Sequence, residues 1–289
     1  MPVSITPMAA ALGAEIAGVD LNRDLDADSV AAIHAAWLDH VVLIFRSKKL
    51  SEQNQRRFAA CFGAVAERVR PVERRPEGSA YDSAFMLVSN IRDESGGYAG
   101  SLPDGELWFH HDMSYVEEPH KATILYAMDI PKVGGNTKFA NMYVGYDNIP
   151  QPLKQKLTGR RALQVYDYAT TGRVDIDKGI ENIKHQWQPI FIRHPETGRT
   201  ALYVSRLMTV LIEGLPRAES DAILEQLFEI SEDPTVVYEH FWRPGDLLMW
   251  DNRCSIHGRT DFPSTERRLL RRCTVEGGPA VPAGANANA

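Results

Sequence analysis

Apolar residues along this chain follow two patterns. Continuous apolar runs at 41–45 and 122–128, and the mostly apolar segments 85–88 and 246–250, predict buried strands. Shorter stretches at 3–5, 236–238 and 269–275 predict further strands. The segments 189–192 and 201–204 flank His194-Pro195-Glu196-Thr197-Gly198, which reads as a turn between paired strands. Helical spacing shows at 26–38, where Val30, Ile33, Ala36 and Trp37 share a face behind Asp26 or Asp28 as cap. Ser51 opens a second helix carrying Phe58 and Phe62. A third covers 142–157 with a break near Pro150, and a fourth covers 218–230 with Ile223, Leu224, Leu227 and Phe228 on one side. Strands outnumber helices, so a β-rich α+β fold is expected.

Three stretches lack a period. Residues 67–83 are rich in Arg, Glu and Pro and read as a loop; 95–105 are glycine-rich. Residues 166–187 have mixed polarity and read as an irregular insertion folded over a site. The Ala, Gly, Pro and Asn tail at 279–289 reads as disordered, which leaves 1–278 as one domain.

Composition narrows the class. The chain has 289 residues, 44% hydrophobic and 24% charged, enough for a sizeable core. Its net charge of -6 argues against a nucleic-acid binder, which needs basic surface. Cys61, Cys254 and Cys273 cannot all pair and lack metal-type spacing, so reduced thiols in a cytoplasmic protein are expected. No apolar stretch of about 18 residues predicts a membrane span, and no secretory signal pattern is seen at the N-terminus.

The chemistry concentrates in Leu107-Trp108-Phe109-His110-His111-Asp112. On a strand, residues i and i+2 face the same side, so His110 and Asp112 would offer an imidazole and a carboxylate to one point, with His111 turned into the packing behind. A His-x-Asp alone also occurs by chance and in surface turns. Far downstream, His257 supplies a possible third ligand. Two His and one carboxylate with open positions is the ligand set of non-haem Fe(II) oxygenases. Period two along 267–275 would put Arg268, Leu270 and Arg272 on one face, and two guanidinium groups beside a metal ligand suggest anion binding. Asp251 and Asn252 could orient His257 or simply form a turn. His120, His185, His194 and His240 stand alone and read as surface or hydrogen-bonded structure; His185, in the insertion, has the best claim to more.

Taken in order, these pieces resemble the taurine dioxygenase and 2,4-dichlorophenoxyacetate dioxygenase family of Fe(II)/2-oxoglutarate enzymes. The resemblance runs from Ile5-Thr6-Pro7 and Leu12 to Leu21, through Phe62-Gly63, His110-x-Asp112, Gly134-Gly135-Asn136-Thr137 and Trp250-Asp251-Asn252-Arg253, to His257 and Thr274. It implies a double-stranded β-helix, or jelly roll, with flanking helices. It implies Fe(II) on His110, Asp112 and His257, these three being the catalytic centre, and 2-oxoglutarate held through its distal carboxylate by Thr137 and Arg268. It also implies oxidation of 2-oxoglutarate by O2 to succinate and CO2, coupled to substrate hydroxylation. By position, Arg272 would bind the acidic end of a small anionic organic substrate, and Tyr166, Met208, Glu106 and Arg68 would line its pocket. Glu67-Arg68 stands where the taurine enzymes carry a His, and Glu106 replaces an amide, which points away from taurine and toward an aryloxyalkanoate or another carboxylate or sulfonate. A homo-oligomer is expected. The alternatives are a metal-dependent hydrolase with zinc on the same ligands, which would not need Thr137 or Arg268, and a non-catalytic binding protein, which would be expected to have lost a ligand, whereas none is missing.

Overall fold

The structure is a computed structural model that describes residues 2–47, 49–68, 70, 75–76, 83–102, 105–168, 170 and 172–284. Its strands are β1 (Ser4–Pro7), β2 (Ala14–Ala17), β3 (Val42–Arg46), β4 (Met86–Ser89), β5 (Leu107–His110), β6 (Ala122–Asp129), β7 (Thr137–Asn141), β8 (Arg161–Tyr166), β9 (Lys184–Pro189), β10 (Phe191–Arg193), β11 (Thr200–Leu202), β12 (Thr209–Ile212), β13 (Val237–His240), β14 (Asp246–Asp251), β15 (Ser255–Arg259) and β16 (Leu269–Val275). Its helices are α1 (Ala27–His40), α2 (Glu52–Ala60), α3 (Met142–Asp147), α4 (Gln151–Leu157) and α5 (Arg217–Ser231). The β-rich α+β expectation holds.

Two sheets place the site. One has seven strands in the order β1-β2-β3-β14-β6-β16-β4; the other has four in the order β13-β7-β15-β5. Alternation along the central strands divides the core. Leu43, Phe45, Ile124, Tyr126, Leu247, Met249, Cys273 and Val275 pack with Ile33 and Trp37 of α1 and Phe58 of α2. Their neighbours Val42, Ile44, Leu125, Leu248, Trp250 and Leu270 turn to the opposite side and pack with Phe139, Ala140 and Ile256 of the four-stranded sheet. The helices form where the sequence places them. Asp26 caps α1 by accepting from the Ser29 N–H at 2.7 Å, and Ser51 caps α2 by accepting from the Asn54 N–H at 3.1 Å. The helix expected at 142–157 is two, α3 and α4, separated around Pro150, and Phe62 lies just past the end of α2.

Segment 166–187 departs from expectation. Its ends are not irregular: β8 runs to Tyr166, and β9 pairs with it from Arg161↔Pro189 to Tyr166↔Lys184, with β12 on the other side of β8. One face of that sheet is partly exposed, so β9 carries mixed polarity and gives no apolar period. The start of the segment expected to be a free tail is hydrogen-bonded to β10: Arg193 donates to the Val281 carbonyl at 2.8 Å and Ala283 to the Phe191 carbonyl at 2.9 Å. Residues 285–289, and most of the 69–82 stretch read as loop, lie outside the described residues. No described helix is long and apolar enough to cross a membrane.

Candidate metal and cosubstrate site

His110 is the last residue of β5, an edge strand, and stands directly across from His257 on β15. Their rings lie 4.2 Å apart between centroids. Asp112 reaches the same point by a different route from the one expected. The strand ends at His110, and the chain turns at Met113, which has a positive φ of 64°. His110 Nε2 is 3.9 Å from Asp112 Oδ1, and His257 Nε2 is 3.8 Å from Asp112 Oδ2. The His110 Nδ1–H donates to the Trp108 carbonyl at 2.9 Å, which leaves Nε2 as a lone-pair donor. His111 turns away, fully buried, bonded to the Asn252 carbonyl at 3.0 Å and packed at a tilt against the Tyr203 ring; burial brings its pKa down to about 4.

The electrostatics suit a cation. Burial opposes ionisation of Asp112. Arg272, His257, His110 and the Thr123 hydroxyl outweigh it and hold the carboxyl below the usual carboxylate range. Burial, followed by the neighbouring His110, pushes His257 well below the usual imidazole value, so it is neutral and able to coordinate. Two neutral imidazoles and a carboxylate, with ligand atoms all within 4.8 Å of one another, match the donor set of a divalent transition metal.

An anion pocket adjoins these three residues. Thr137 on β7 lies across from Arg259, and Phe139 across from His257, so Thr137 and His257 face the same side. Trp242 Nε1–H donates to Thr137 Oγ1 at 3.0 Å, which leaves the hydroxyl proton of Thr137 free to donate. Arg268 is 2% exposed. Its Nε–H donates to the Gly135 carbonyl at 3.2 Å, while its buried Nη1 has no partner. Burial, with the charge of Arg259 nearby, pulls its pKa well below the usual value, a cost that a bound anion would relieve. An unmatched buried guanidinium beside a free hydroxyl fits a carboxylate. Arg268 sits just before β16 rather than within it.

A second cavity opens on the other side of His110, Asp112 and Arg272, which line both spaces. Tyr166, Met208 and Arg68 line it, as the sequence suggested. Glu106 does not: it is exposed and among the charges that act on Glu232. Tyr115, His120 and Tyr168 are among the lining residues that the sequence reading missed. Tyr115 stacks on Tyr166 at 5.2 Å, and its hydroxyl meets that of Tyr168 at 2.8 Å. His120 also lines the wall, with burial lowering its pKa to about 4. Tyr115 follows Asp112 by three residues, a signal that proximity to the motif offered; nothing in the sequence marked His120 or Tyr168. Arg272 meets Asp112 Oδ2 at 2.7 Å.

Asp251 and Asn252 do not bond His257, whose Nδ1 is buried without a partner. Asp251 holds Arg253 at 2.6 Å and His194 at 3.1 Å. His194 Nδ1 accepts from the backbone N–H groups of Glu196 and Thr197, so its Nε2 carries the proton. His194 and Asp251 are thus satisfied by hydrogen bonds, although their ligand atoms and that of Cys254 lie as close as those of a metal site. His240 is likewise structural, bonded to Asp246 at 3.0 Å, and His185 is exposed with its ring on the Ile183 carbonyl.

One four-stranded sheet delivering a His/Asp/His cluster beside a buried arginine with a partnerless Nη1 makes a metal- and carboxylate-binding site, and the comparisons agree. The family model described as taurine catabolism dioxygenase TauD, TfdA family matches residues 4–274, so the chain belongs to that family. It is an α-ketoglutarate-dependent dioxygenase using Fe(II) and O2. It is 31% identical over 286 residues to the (S)-phenoxypropionate/alpha-ketoglutarate-dioxygenase of Sphingobium herbicidovorans, with 96% of each chain covered. It is 33% identical over 295 residues to the pentalenolactone F synthase of Streptomyces avermitilis, covering 94% of each. Among solved structures, a taurine dioxygenase from Burkholderia xenovorans superposes with a TM-score of 0.79 at 28% identity, over 98% of this chain and 94% of that one.

Proposed function

We propose that this enzyme hydroxylates a small organic anion with an aryl or similarly flat apolar body, converting 2-oxoglutarate and O2 to succinate and CO2. The observation that carries the cosubstrate assignment is the partnerless Nη1 of buried Arg268 beside the free hydroxyl proton of Thr137. A hydrolase on this fold would have no use for that pair. In this reading His110, Asp112 and His257 hold the iron and are the catalytic centre. Bound there with 2-oxoglutarate, Fe(II) would activate O2, the oxidant, toward reaction. Thr137 and Arg268 take the distal carboxylate of 2-oxoglutarate and fix its orientation. The strand organisation fits a double-stranded β-helix over residues 1–278, and a cytoplasmic homo-oligomer is the accompanying proposal.

Arg272 lies at the junction of the two cavities and would anchor the acidic head group of the substrate, with Arg68 adding positive charge. Tyr115, Tyr166 and Tyr168 present ring faces and edges at centroid separations of 5.0–6.2 Å, and Met208 packs with Tyr115 and Tyr166. Rings in this arrangement favour an aromatic guest over a slim polar one such as taurine. The relative from Sphingobium is named for a phenoxypropionate, which has that shape and charge. The test is 2-oxoglutarate-dependent succinate formation across aryloxyalkanoates, alkyl sulfates and taurine. Aryl acids should stimulate most. Stimulation by taurine alone would overturn the aryl reading.

A further inference from the structure

We infer that Thr123 and Asn252 form a positioning relay that presets the carboxylate of Asp112 for metal binding. The inference rests on the metal role proposed for Asp112. Thr123 is a fully buried residue of β6 whose strand neighbours on the same side are apolar, Leu125 and Ala127. A hydroxyl there needs a reason, since an unmatched one costs free energy.

The proton inventory supplies the reason. Asn252 lies 3.2 Å from the His120 carbonyl through its amide nitrogen, and a carbonyl can only accept, so that end of the side chain is the NH2. The same nitrogen donates to Thr123 Oγ1 at 2.9 Å. Thr123 therefore accepts from Asn252 and has one proton left. That proton goes to Asp112 Oδ2, 2.7 Å away. The direction of the chain Asn252→Thr123→Asp112 is fixed at both ends. The Arg272 guanidinium forms an ion pair with the same Oδ2, at 2.7 Å. Oδ1 receives no hydrogen bond among the described residues and faces His110 Nε2.

The two oxygens are thus made unequal before any metal arrives. Oδ2 is held by the Thr123 hydroxyl and the Arg272 charge and also lies 3.8 Å from His257 Nε2, while Oδ1 is unbonded on the His110 side, so the carboxylate is already oriented and loses little ordering entropy on binding. Asn252 belongs to the turn between β14 and β15, and its own carbonyl takes the ring proton of His111. The relay therefore ties the turn that precedes His257 to the segment that carries His110 and Asp112.

The test is Mn(II) titration of the metal-free protein, followed through the spin-resonance signal of free Mn(II), which needs neither O2 nor turnover. Wild type should bind and Asp112→Ala should not. Thr123→Val, which keeps the shape and deletes the hydroxyl, should weaken binding by about 10–100-fold, the range typical for partners of metal ligands. Thr123→Ser should restore wild-type affinity, which a purely steric role would not produce. Should Thr123→Val fold poorly, Asn252→Ala serves: it should weaken binding in wild type but add nothing in a Thr123→Ala background, because the two act as one chain. Unchanged Mn(II) affinity in Thr123→Val, or additive losses in the double variant, overturns the relay while leaving the metal site intact. Failure of wild type to bind, or undiminished binding by Asp112→Ala, overturns the metal site and the relay together.

Discussion

At the residue scale, the two arginines near the site have separable tasks. Arg268 is buried with an unmatched Nη1, and Arg272 is 18% exposed between the two cavities. Arg268→Ala should weaken 2-oxoglutarate binding by about 3–5 kcal/mol, the cost of removing one partner of a buried charge pair. Arg272→Ala should instead raise the apparent constant for an anionic aryl substrate. Parallel titrations with both ligands check this, and a loss confined to 2-oxoglutarate in both variants would refute the division. The ligand trio and the two arginines were legible because their side chains are chemically unusual and fall at family spacings. Their geometry was not. Strand alternation was expected to bring Asp112 beside His110, but the strand stops at His110 and Asp112 stands in the turn that follows it. Asn252 was expected to serve His257 or a turn; it stands in the turn between β14 and β15 and bonds Thr123 rather than His257. A threonine in a strand carries no mark of its partner in one sequence, so the relay could only be seen in three dimensions.

At the element scale, the loop that precedes β7 sets the anion pocket. Gly135 has a φ of +65°, a left-handed conformation that glycine adopts without strain, and an added Cβ would stand 2.8 Å from Pro131 and 3.2 Å from Arg268 Nε. Gly135→Ala should therefore displace Arg268, costing about 1–3 kcal/mol in stability from backbone strain and weakening 2-oxoglutarate binding. Thermal unfolding and ligand titration of the same variant measure both; a stable variant with wild-type affinity would show that the loop tolerates the shift. The Gly-Gly turn was readable as a turn, and so were β3, β6 and β14, whose apolar runs are buried on both faces. The strands that carry the site were harder. β7 and β15 are five residues each and mix polar ligands with packing residues, so neither period two nor a continuous apolar run stands out. β9 was lost because it is mostly polar and partly exposed, and β8, though buried, because Gln164 interrupts its apolar run.

At the scale of the whole molecule, the network around Asp251 links the turn between β14 and β15 to the loop bearing His194 and Glu196, and through Glu196 to His34 on α1. Burial opposes the charge on Asp251, but Arg253 and His194 prevail and hold its carboxyl below the usual range. A carboxyl with a depressed folded pKa contributes stability that is present above its unfolded value, about 3.9, and is lost as pH falls toward the folded one. Asp251→Asn should thus destabilise by about 3–5 kcal/mol at neutral pH, with Arg253 left buried. The gap from wild type should narrow as pH drops below about 4; a gap independent of pH would mean that the charge of Asp251 does not matter. The central claim, one Fe(II) site on three residues shared with 2-oxoglutarate, is tested most directly by anaerobic titration with Fe(II) and 2-oxoglutarate. Wild type should develop a weak visible charge-transfer band that needs both additions, and His257→Ala should not; the same band in His257→Ala would contradict the account.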